Sequence, residues 1–123
     1  MPCQDARLHQ RYEHARLAVS TLRAGVRDAR NRGTIDVRAE IELALNEGRI
    51  AACRWLLGLS PATPVTSVPA AASPSAVRRE LRAAILRAGD ASGNVEIPDS
   101  YEVDARWADG VSDILRQQLV PCD

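Results

Sequence analysis

The sequence predicts an all-α protein, and three observations carry the prediction. Apolar residues recur every three or four positions along most of the chain, and Gly and Pro fall where helices should start and stop. The one alternating piece, Val95-Glu96-Ile97, is too short to build a sheet and has nothing obvious to pair with. The expected architecture is a helical hairpin and a second helical pair joined by a Pro-rich crossover. These would form either a four-helix-bundle-like core or two small helical modules.

The first helix should span residues 5–32, which hold no Pro and a single Gly, with Gly33 placed to end it. Leu8, Tyr12, Ala15, Val19, Leu22, Val26 and Ala29 are spaced alternately by four and three, the 3.5-residue repeat of a coiled-coil seam. The same repeat also suits an ordinary core-facing helix. His9, Arg16, Arg23 and Arg30 flank the seam on one side, and Arg11 and Arg32 on the other. A parallel copy would set Arg against Arg, so this helix should prefer an antiparallel or acidic partner, which its own chain can supply.

The second helix should run from Thr34 or Asp36, either of which suits an N-cap, to Leu57. Val37, Ile41, Ala44, Gly48, Ala51 and Trp55 form its apolar stripe, and Glu40, Glu42 and Glu47 make it acidic. Gly48 within the stripe has two readings: a place where another backbone approaches closely, or a break in the helix. The hairpin is thus bounded at 1–58.

Residues 59–73 are rich in Pro, Ala, Ser and Thr and lack charge, as a linker does; extended polyproline geometry would let them cross the molecule. Residues 74–123 hold the second pair. Ser73 and Pro74 read as N-cap and first residue of the third helix, whose face is Val77, Leu81, Ala84, Ile85 and Ala88, with Gly89 closing it. Asp99-Ser-Tyr-Glu102 matches a capping box opening a fourth helix, faced by Val103, Trp107, Val111, Ile114 and Leu115 and ended before Pro121.

Composition narrows the class further. Of 123 residues 46% are hydrophobic, but there is no Phe and much of the remainder is Ala, so helix contacts should be thin and the monomer modestly stable. Oligomerisation would add buried surface. All basic residues are Arg, a bias that fits a high-GC bacterial or phage genome. Net charge is zero, which gives no global argument for nucleic acid. Residues 1–58 carry ten Arg against seven acids, and residues 91–123 two Arg against seven. The acidic end, through Glu102, Asp104, Asp109 and Asp113, is therefore expected near Arg16, Arg23 and Arg30 or near Arg78, Arg79 and Arg82.

Chemical motifs are scarce. Cys3, Cys53 and Cys122 have no zinc spacing and read as free thiols in a cytoplasmic protein, with a Cys3–Cys122 bridge as the alternative. His9 and Glu13 share a face without further ligands, and His14 has no nucleophile in its pattern. No Gly-rich phosphate loop, secretory leader or membrane-length apolar run occurs, so no cofactor, metal or membrane is expected. The reading is a non-enzymatic, oligomeric interaction, assembly or accessory regulatory protein. Its interface candidates are Leu8, Tyr12, Val19, Leu22 and Val26, with Trp55 and Trp107 as large anchors. The alternative is a small DNA-binding regulator using Arg78, Arg79 and Arg82.

Overall fold

The computed structural model describes residues 2–92 and 99–120, with side chains for all of these except 2–4, 90–92 and 99–102. Four helices account for most of it: α1 (Pro2–Asn31), α2 (Val37–Leu56), α3 (Pro74–Ser92) and α4 (Asp99–Gln118). The Val95–Ile97 segment, the side chains of the Asp99–Glu102 box and the Cys3–Cys122 alternative lie outside the described residues.

Local chemistry sets the helix ends. Gly33 adopts φ +76° after α1, with Gly33 N–H donating to Arg30 O (2.9 Å) and Thr34 N–H to Ala29 O (2.8 Å). Those two bonds make a Schellman cap, which needs the left-handed residue that Gly supplies. Gly58, also at φ +76°, ends α2 in the same way, its N–H donating to Trp55 O (3.0 Å) and Leu59 N–H to Arg54 O (2.8 Å). Asp36 is the N-cap of α2, accepting from Ala39 N–H (3.1 Å), while Thr34 turns its hydroxyl back onto Ala29 O (2.9 Å). Ser73 caps α3 through Ala76 N–H (3.2 Å). Gly89 does not close that helix, which continues to Ser92.

The helices pack in the spatial order α1, α2, α4, α3: α1 lies on α2, α2 crosses α4, and α3 lies on α4. Leu8 of α1, Cys53 and Trp55 of α2, Val77 of α3, and Val111 and Leu115 of α4 belong to one cluster, so both helical pairs share a single core. Nine of the eighteen buried apolar residues described are Ala. A core so poor in bulk closes by bringing backbones together. At the α2–α4 crossing a Cβ on Gly48 would stand 2.0 Å from the Trp107 carbonyl oxygen, and one on Gly110 would stand 2.0 Å from that of Leu45. Gly48 therefore serves close approach, and α2 runs through it unbroken.

The α1–α2 hairpin also meets its charge requirement. Arg23 pairs with Glu47 (3.4 Å) and Arg30 with Glu40, so the acidic partner of α1 is α2. Among the described residues the acids of α4 do not pair with Arg16, Arg23 or Arg30, nor with the α3 trio. Asp104 pairs with Arg87 (2.6 Å), Asp109 with Arg106 (3.2 Å) and Asp113 with Arg49 (2.9 Å). For Arg23 and Arg30 the reason is topological: α2 lies beside them and takes both charges through Glu47 and Glu40.

Residues 59–73 fold back on themselves instead of running extended. Thr63 N–H donates to Val68 O (2.9 Å), Ala62 bridges to Pro69, and Ser67 sits at φ +57°. Two buried side chains fasten the loop. Trp55 Nε1–H donates to Ala70 O (2.8 Å). The Glu80 carboxylate, 1% exposed, accepts from Val65 N–H (2.8 Å), Thr66 N–H (3.2 Å) and Thr66 Oγ1–H (2.6 Å). Three donors compensate the burial of a charge that would otherwise be strongly disfavoured.

Among the described residues no helix is long and apolar enough to cross a membrane, and no group of His, Cys, Asp and Glu is arranged to hold a metal ion.

Candidate functional site

The heptad seam of α1 packs within the chain. Leu8, Val19 and Val26 are buried, and Tyr12 and Leu22 are half-buried. Trp55 is buried beneath the 59–73 loop. Trp107 is half-buried at the other end of the core, with the Arg87 guanidinium 5.1 Å from its ring centre. Tyr12, Val19 and Ile50 meet in one surface groove; Trp55 and Trp107 do not join them.

That groove, of about 670 Å³, lies where α1 meets α2. It follows from the wheel of α1: Arg16, Ser20, Arg23 and Arg27 recur at four, three and four, placing them on one stripe beside the buried seam. Arg54 of α2 closes the near end, donating to Tyr12 Oη (3.2 Å). Arg16 stands 5.5 Å from the Tyr12 ring centre and pairs with Glu13 (3.1 Å). Arg27 and Arg54 have no carboxylate partner among the described residues. Arginines thus wall a groove whose lining includes Val19 and Ile50, and Arg16 to Arg27 covers roughly 16 Å of helix at ~1.5 Å per residue.

On the opposite flank of α1 lies a second, polar cleft of about 470 Å³, bounded by Arg7, Arg11 and His14 of α1, Arg49 of α2, and Asp113 and Ile114 of α4. Asp113 ties it together, accepting from Arg49 Nε–H (2.9 Å) and Gln117 Nε2–H (3.0 Å). Cys53 has its thiol pushed up to about 12 by burial, against a smaller opposing effect of Arg11. A thiol held neutral in this way is a poor nucleophile.

Arg78, Arg79 and Arg82 are exposed on α3, and none forms an ion pair among the described residues. They are not part of either concavity. His9 and His14 are both exposed; His14 borders the polar cleft.

Sequence reasoning missed Arg54, Arg49 and Glu80. Glu80 left a signal: it sits three residues after Val77 and four before Ala84, so its helix position is apolar by pattern and charged by identity. Arg49 and Arg54 left none, because their roles depend on which helices neighbour α2.

The chain matches no protein-family model, and comparison with curated proteins and with solved structures returns no match.

Proposed function

We propose that this chain is a non-enzymatic helical docking protein, an assembly or accessory regulatory factor of a bacterium or phage, working in the cytoplasm. Its α1–α2 groove receives an acidic amphipathic helix of a partner protein. The observation that supports this reading is the groove itself: apolar side chains from two helices, walled by Arg16, Arg23, Arg27 and Arg54. Helix-in-groove recognition uses this combination, with apolar contact for affinity and the charged rim for orientation and partner choice.

Light scattering of the purified chain and capture from its native host test the proposal together. The expected result is an oligomer or a captured protein, lost when Arg23, Arg27 and Arg54 are changed to Glu and kept when Arg78 and Arg82 are changed to Ala. A second copy as occupant appears as a dimer that the Glu variants split. A strict monomer that captures nothing overturns the reading.

One observation favours a second reading. Arg78, Arg79 and Arg82 are exposed and unpaired among the described residues on one helix, as phosphate-contacting arginines are. Salt-dependent retention on immobilised DNA, abolished by Arg78→Ala with Arg82→Ala, would support a DNA-binding regulator instead.

A further inference from the structure

The groove between α1 and α2 leaves two of its cations unanswered, and the neighbouring face of α1 carries acids at a matching spacing. Arg27 and Arg54 have no carboxylate partner among the described residues. Arg54 reaches one end of the groove, where it donates to Tyr12 Oη (3.2 Å). Tyr12 precedes Arg27 by fifteen residues, about 22 Å of helix at ~1.5 Å per residue. Round the outside of α1 run Glu13, Leu17, Ser20, Ala24 and Asp28, spaced by four, three, four and four, and all exposed. The two acids of this row are also fifteen residues apart. Asp28 has no ion-pair partner among the described residues, and Glu13 has only Arg16, in an exposed contact of 3.1 Å. Ser20 and Ala24 line the groove as well, so the acidic row borders it.

We propose that the groove receives α1 of a second copy of this chain, antiparallel to the first about a two-fold axis at Ser20. This rests on the docking reading and names the helix that docks. The register follows from the charges. Glu13 and Arg27 each lie seven residues from Ser20, so an antiparallel copy sets each Glu13 beside the partner's Arg27. Asp28 and Tyr12 each lie eight residues from Ser20, so each Asp28 comes to the end where the partner's Arg54 is held. Both pairs occur twice, and one patch serves both copies, which closes the assembly as a dimer. A parallel copy would instead set Arg27 against Arg27 and Glu13 against Glu13. The side chain at the axis, Ser20, is small enough for the two helices to approach, and Leu17, 69% exposed, is covered beside it.

Sedimentation of the full chain over a range of concentrations tests the dimer, and charge reversal tests its register. Glu13→Arg and Arg27→Glu each break two pairs and create two like-charge contacts, so each should raise the dimer Kd at least about ten-fold. The double variant, Glu13→Arg with Arg27→Glu, exchanges the partners and should return the Kd to within about three-fold of the parent. Arg82→Ala should leave it unchanged. Cross-linking reads the axis directly. In a chain with Cys3 and Cys122 changed to Ser, and Cys53 buried, Ser20→Cys should form a covalent dimer with oxidised glutathione, and Asn31→Cys should not. A parallel pair would link both. A dimer that the single reversals leave intact, that the double variant fails to restore, or that Asn31→Cys links equally well overturns the proposal. A monomer that captures a different protein through Arg27 and Arg54 also overturns it, while leaving the docking reading in place; a monomer that captures nothing removes both.

Discussion

At the α2–α4 crossing, backbone meets backbone, whereas between α1 and α2 the helices meet through side chains. Both contacts are built from an Ala-rich sequence with no Phe, and they solve the shortage of bulk differently. The crossing removes side chains altogether at Gly48 and Gly110, so that two main chains fill the space a larger residue would occupy. The α1–α2 contact keeps a row of Leu, Val and Ala and adds Arg–Glu pairs at its edge. The first solution is intolerant of added atoms. The second tolerates them, because its outer face is open, and the groove proposed for docking lies on that face.

The sharpest way to break this comparison is to add one carbon at each place. Gly48→Ala and Gly110→Ala each place a methyl 2.0 Å from a main-chain carbonyl oxygen, which cannot swing aside as a flexible side chain can. Alanine improves helix propensity by ~1 kcal/mol, but forced separation of the helices should outweigh it. A net loss of about 3 kcal/mol is expected for either variant in chemical denaturation, at the upper end for overpacked cores. A loss below about 1 kcal/mol would mean the helices slide apart easily, and the contrast with α1 would fail.

Gly48 also shows how far the sequence reaches. A glycine in the middle of an apolar helical stripe has a visible oddness, and close approach was one of its two readings. Gly110 has the same context, three residues after Trp107 and four before Ile114 on the apolar face of α4, and was passed over in the sequence; that the two glycines meet each other's helix depends on knowing that α4 lies across α2. The four helices, the Asp36 and Ser73 caps and the Gly33 stop were legible because helix formation and capping depend on neighbours in sequence. Partner choice between helices was legible only for α1, where arginines beside the seam required an acidic neighbour. The destination of the acids of α4 was not, since charge counts over long segments carry no information about which helix stands in between. The groove was half legible: the stripe of Arg16, Arg23 and Arg27 is in the sequence, while Arg54 and Ile50 enter it only through the hairpin register.

The 59–73 loop is an intermediate case, in which specific hydrogen bonds do the holding. Glu80→Ala removes the acceptor of three donors from Val65 and Thr66. The expected cost is about 2 kcal/mol, in the range for bonds to a charged group. It should come with faster hydrogen exchange at Val65 and Thr66 than at the α2–α4 crossing. Equal loss of protection at both places would mean that the loop is integral to the core, and not a separate attachment.

Back on α1, Gly25→Ala adds the same methyl as Gly48→Ala and should act in the opposite direction. Gly25 lies in mid-helix, exposed, at a negative φ, with nothing within 4 Å of the added carbon. Only the propensity gain remains, so stability should rise by about 0.5–1 kcal/mol. Measured side by side, the two substitutions test the difference between the regions without changing the chemistry of the mutation.

The smallest effect on stability should come from Arg23→Ala. Its side chain is 61% exposed, and its contact with Glu47, at 3.4 Å, is long for a charge-assisted bond. Solvent and salt screen such a pair, which is worth at most about 0.5 kcal/mol. Arg23 nevertheless walls the groove proposed to receive an acidic helix, where a rim charge governs encounter rate and orientation more than it governs the fold. The same variant should therefore leave the denaturation midpoint almost unmoved while slowing association with the partner, and the slowing should shrink as salt is raised. If Arg23→Ala destabilised the chain as much as Glu80→Ala, the arginine row would be a structural device of the hairpin, and the groove would lose its claim to be a docking surface.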